Sequence, residues 1–88
     1  MADEDDPGSV TVINLDQTTN FHTASFPHGG QVLVMSLHPG AAIRIGDQTL
    51  NEPGDVPMPP RMNVPITLFR VKEITQYSAS LRIETFAG

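Results

Sequence analysis

Eighty-eight residues suffice for one domain, and a chain of that length buries only roughly 60–65% of the surface it exposes when unfolded. It contains no cysteine, which excludes disulfides and thiolate metal sites. Its net charge of −5 disfavours nucleic acid as the main ligand, because phosphate binding needs a basic surface that releases counterions.

The charge is uneven. Asp3, Glu4, Asp5 and Asp6 form an acidic arm with no lysine or arginine beside them, leaving six acids against five bases in the rest. An acidic start is the opposite of a secretory leader, and the apolar run Val32 to Leu37 is too short to cross a bilayer. These features predict a soluble protein with no membrane partner. Residues 1–9 read as a flexible or extended arm, and residues 10–88 as a single β domain.

Helix periodicity is absent, and short β-rich runs alternate with Gly, Pro, Asn and Asp clusters. "VTVINL" (residues 10–15) is ended by "DQTTN", and "FHTASF" (21–26) by "PHGG". "QVLVMSL" (31–37) is apolar on both sides of the pleat except at Ser36, which predicts a central strand between two layers. "AAIRIG" and "QTL" form a short pair around Gly46-Asp47, with Arg44 alternating away from Ile43 and Ile45. Residues 51–65 hold Pro53, Pro57, Pro59, Pro60 and Pro65, which predicts a loop or an edge segment. "LFRVKEI" and "SLRIETF" both alternate with period two, burying Phe69, Val71, Leu81 and Ile83, and read as a hairpin linked by "TQYSA". In that hairpin Arg70 or Lys72 would sit opposite Glu84. The sum is an all-β fold: a small antiparallel β-sandwich or barrel of six to seven short strands.

No arrangement of residues announces catalysis, a cofactor or a metal. His22, His28 and His38 are six and ten residues apart, without the close ligand pair of a zinc site or of a cupin-like strand. No serine stands in a Gly-x-Ser-x-Gly elbow, and Glu52 and Asp55 merely flank a Pro-Gly turn. "HGG" and "PGDVP" feed no helix, so neither cradles phosphate. Tyr77 is the one candidate aromatic platform for a sugar, set against its ordinary reading as a loop tyrosine packed on its own hairpin.

Arg44-Ile45-Gly46, Pro53-Gly54 and the segment from Leu68 to Phe86 resemble small β-sandwich structural proteins of tailed bacteriophage virions, in particular capsid decoration (cement) proteins. The likeness covers roughly residues 30–88. It implies a non-enzymatic protein, made in the host bacterial cytoplasm and carried in the virion. Such a protein reinforces contacts between major capsid protein subunits and often forms homo-oligomers such as trimers. Its partner-contact candidates are Asp3, Glu4, Asp5 and Asp6 of the arm, Arg44, and Pro57, Pro59, Pro60 and Arg61, because an extended proline-rich backbone loses little entropy on binding. The alternatives are a glycan- or receptor-binding β-module of a phage fibre or tail, and a small enzyme with a histidine metal site.

Overall fold

The computed structural model describes residues 8–88; the acidic residues Asp3, Glu4, Asp5 and Asp6 lie outside them. Eight strands follow in chain order: β1 (Ser9–Asp16), β2 (Phe21–Phe26), β3 (Gly30–Leu37), β4 (Ala41–Ile45), β5 (Gln48–Leu50), β6 (Gly54–Met58), β7 (Met62–Arg70) and β8 (Ser78–Thr85). They form two four-stranded sheets, β1-β8-β3-β6 and β2-β7-β4-β5, in which every pair is antiparallel. Consecutive strands change sheet at every step but β4 to β5. That interleaving is the double Greek key of a jelly roll.

The core lies between the sheets. Phe26, Ile43, Ile45, Ile66 and Leu68 come from one sheet and Val32, Val34 and Leu81 from the other, all at 0% exposure. Burying side chains of this size stabilises by about 1.5–3 kcal/mol each. Among the described residues no charged or polar residue is buried and no buried side-chain polar atom lacks a partner.

The all-β sandwich expected from the sequence is observed, with three corrections. The described residues form eight strands, because the proline-rich stretch supplies β6 as an edge strand and the start of β7. Pro65 sits inside β7, an interior strand. Its carbonyl accepts from the Gly46 N–H at 3.0 Å, so its own nitrogen also faces β4, one step beyond the last paired residue, Ile45. The missing N–H therefore falls where the ladder has already ended.

The expected terminal hairpin does not form. β7 pairs with β2 and β4, β8 pairs with β1 and β3, and residues 71–77 cross from one sheet to the other. The buried face of β7 is Val64, Ile66 and Leu68, which leaves Phe69 half-buried and Val71 exposed. Glu84 consequently meets neither Arg70 nor Lys72: it accepts from Gln31 Nε2 at 2.8 Å and pairs with Arg82 at 3.2 Å.

Strand β3 is interior to its sheet, but one face looks outward, with Leu33 half-buried and Met35 exposed. A register shift between Val34 and Ser36 marks a bulge against β8, which places Met35 and Ser36 outward together and returns Leu37 to the core. At the start of this strand a Cβ on Gly30 would overlap the Glu84 carbonyl oxygen and stand 2.9 Å from Phe26. Gly30→Ala is expected to lower stability in urea unfolding by about 1–3 kcal/mol through overpacking. Gly54→Ala, with no atom within 4 Å of the added carbon, should change it by less than about 0.5 kcal/mol.

Candidate functional site

The stretch from Arg44 to Val64 builds one end of the sandwich. Gly46 and Asp47 form a two-residue loop between the paired Ile45 and Gln48. Gly46 has φ 64° and Asp47 is not left-handed, the combination of a type II′ turn, for which Gly-X is the favoured order. The Gly46 carbonyl accepts from Arg44 Nε at 3.0 Å. The expected alternation holds: Arg44 points outward from its sheet, in a row with Phe21, Thr67 and Thr49.

Opposite this turn, β6 ends and Pro59, Pro60 and Arg61 lead into β7. Two successive prolines fix φ, and the chain then reverses through Arg61, the one non-glycine residue of positive φ (65°) among those described. The Arg61 N–H donates to the Phe26 carbonyl at 2.8 Å, and the Gly29 N–H reaches the same oxygen at 3.2 Å, so both loops at this end hang on one acceptor. Between the β4–β5 turn and the β6–β7 loop lies a hollow of about 250 Å³, walled by Ile45, Val56, Met58, Pro59, Met62 and Val64, with Asp47 and Gln48 at its polar side. Met62 is 40% exposed there, and a thioether adapts readily to an incoming side chain.

The sequence candidates thus divide into four groups. Pro57 and Pro59 line this hollow, while Pro60 and Arg61 are exposed beside it without lining it. Arg44 stands on the outer face of its sheet, and the four acids lie outside the described residues. Pattern reading missed Met62 and the exposed Phe21, Val10 and Val12, at 56%, 54% and 56% exposure for the last three. Period two assigns a residue to a face but does not say whether a second layer covers that face.

The opposite end carries a polar hollow of about 270 Å³ lined by Asp16, Gln17, His38, Gln76, Tyr77 and Ser78. Tyr77 is half-buried against the core, and its N–H donates to Gln17 Oε1 at 3.2 Å. Asp16 closes the β1–β2 turn: its Oδ1 accepts from Thr19 N at 2.7 Å, Thr18 Oγ1 at 2.7 Å and Thr18 N at 2.9 Å. The Thr19 N–H first, then the Thr18 hydroxyl and N–H, hold its carboxyl below the ordinary value of 3.8. "DQTT" was a legible signal for this turn, since aspartate bonds to backbone two and three residues on.

A third hollow, of about 310 Å³, opens along the side between β1 and β2, where Ser9, Thr11, His22 and Thr85 line the gap between the sheets. The histidines are dispersed: His22 at this side, His28 in the β2–β3 turn, His38 at the polar end. Among the described residues no three His, Cys, Asp or Glu side chains gather as a metal site, and no helix is long and apolar enough to cross a membrane.

Comparison of the chain with protein-family models, with curated proteins and with solved structures finds no match.

Two outcomes follow from this geometry. Arg61→Gly relieves a left-handed backbone that Arg61→Ala retains, so the glycine variant should be the more stable by about 1 kcal/mol in paired urea melts. Asp16 ionises more readily folded than unfolded, so its contribution is complete above the unfolded value of 3.8 and is lost as pH falls through the lower folded value. The stability gap between wild type and Asp16→Ala should accordingly be constant near neutrality and shrink below pH 3.8.

Proposed function

We propose that this chain is a non-enzymatic virion structural protein that decorates a phage capsid, docking through the end built by the β4–β5 turn and the β6–β7 loop. The observation that carries the reading is the apolar hollow of about 250 Å³ beside Pro57, Pro59 and Met62. Its rim is pre-ordered by two prolines and by the Arg61 N–H bond to Phe26, so little backbone entropy is lost when a partner side chain enters. A capsid lattice presents the same partner surface many times, and neighbours held in place let individually weak contacts act together. The jelly-roll order is shared by viral capsid domains, lectins and cupins, which makes it compatible with this function without selecting it.

One observation favours a second reading, a glycan-binding module of a fibre or tail. The polar hollow is lined by Tyr77 together with Asp16, Gln17, His38 and Gln76, groups suited to sugar hydroxyls. Chemical-shift titration with a panel of oligosaccharides separates the two: saturable shifts confined to residues around Tyr77 favour the glycan module.

The capsid reading is tested by mixing the protein with capsid shells stripped of their outer proteins. Binding in stoichiometric, symmetry-related numbers is expected, and its absence sinks the proposal. Met62→Glu, at a partly exposed position, should weaken capsid binding at least about tenfold while the far-UV spectrum is unchanged. Removing residues 1–7, which keeps all of β1, should weaken binding if the acidic arm contacts the shell; unchanged affinity would assign that arm to solubility alone.

A further inference from the structure

Four strands lie at sheet edges, and they differ in how they resist pairing with another chain. β5 has three residues, and β6 carries Pro57, which lacks a donor. β2 has six residues and runs into Pro27. β1 has eight, with neither proline nor charge from Ser9 to Leu15.

Its free edge can be read residue by residue. The Ser9 N–H donates to Thr85 Oγ1 of β8, whereas the Asp16 N–H turns away to the Thr19 carbonyl. Backbone groups alternate along a strand, so those of Thr11, Ile13 and Leu15 also face β8. The N–H and C=O groups of Val10, Val12 and Asn14 then face outward, where no strand of the described chain lies. The same Val10 and Val12 stand on the outer face of the sheet at 54% and 56% exposure, next to Glu84 and Arg82 of β8.

We propose that this edge pairs antiparallel with β1 of a second copy, joining two four-stranded sheets across a twofold axis. The free groups restrict the register to even residues opposite even residues, since an odd shift would bring inward-facing side chains to the outer face. Of the even registers, the one centred on Thr11 sets Val10 against the partner subunit's Val12 and Val12 against the partner subunit's Val10. On the outer face it thus gives two valine–valine pairs, where the register centred on Val12 gives one. Charge selects the direction. The four acids precede Gly8, and in the antiparallel pair the two Gly8 positions stand about 20 Å apart at ~3.3 Å per residue, beyond a Debye length of about 8 Å. A parallel pair would set one arm of four negative charges against the other. This inference goes beyond the capsid reading and replaces the trimer that the family resemblance implies with a twofold pair. It uses a different surface, so either can fail alone.

Sedimentation equilibrium of the full chain, from micromolar to millimolar concentration, tests it with two charged variants. Wild type should show a monomer–dimer equilibrium. Val10→Lys/Val12→Lys and Val10→Glu/Val12→Glu each place like charges opposite one another, and should raise the dissociation constant at least about tenfold without changing the thermal melting of the monomer. An equimolar mixture of the two variants pairs lysine with glutamate at both contacts and should recover the dimer, which a merely damaged fold would not do. A monomeric or trimeric wild type, charged variants that dimerise like wild type, or a mixture that stays monomeric would each overturn the proposal.

Discussion

Each sheet of this molecule has one apolar face, and each face is covered only by the other sheet. Ile43, Ile66 and Leu68 press against Val32, Val34 and Leu81, with Phe26 closing the end near the β6–β7 loop. The chain has no cysteine and, among the described residues, no buried ion pair, so the register of the strands decides whether these side chains face one another at all. The close approach of Gly30 to the Glu84 carbonyl, the bulge at Met35 and the placement of Pro65 beyond the end of β4 are all adjustments that keep that register.

The same dependence sets where the distinctive surface features lie. Two layers leave two outer faces, four edges and two ends, and in a chain this short they carry what the core does not need. One end is apolar and stiffened by proline; the other is polar and organised by Asp16. Edges β5 and β6 are shielded by brevity and by Pro57, while no strand of the described chain lies along the outer edge of β1. The molecule is thus lopsided, with the short β5 and the proline-bearing β6 on one flank and the longer β1 and β2 on the other.

Much of this was legible in the residues. The runs 10–15, 21–26 and 31–37 and the pair around Gly46-Asp47 appear within a residue or two of their expected limits, because turn chemistry and apolar alternation are local signals. The outward direction of Arg44 followed from the same alternation. Pairing was not legible. "LFRVKEI" and "SLRIETF" both alternate, but alternation says which face a residue takes and nothing about which strand lies beside it, so neighbours in sequence read as a hairpin although they belong to different sheets. The prolines misled for a related reason: their cost depends on which way one nitrogen points, and that direction is set by partners from elsewhere in the chain. Of the contact candidates, Pro57 and Pro59 meet at one hollow, whereas Val10, Val12 and Met62 carried no mark in the sequence because edges and uncovered faces are properties of the assembled layers.

The strand order also bears on how such a chain reaches its native state during synthesis. β8 lies between β1 and β3, and β7 lies between β2 and β4, yet β7 and β8 are the last two strands in chain order. Until they have emerged from the ribosome, β1 and β2 lack every strand they pair with, and only the β4–β5 and β3–β6 pairs can close. Neither sheet can therefore be completed by the earlier strands alone; both wait on β7 and β8, whose pairing requires long-loop closures in both layers. The long β1, uncharged from Ser9 to Leu15, spends that interval without its partner strand, the condition in which unpaired strand edges expose a chain to association with its neighbours.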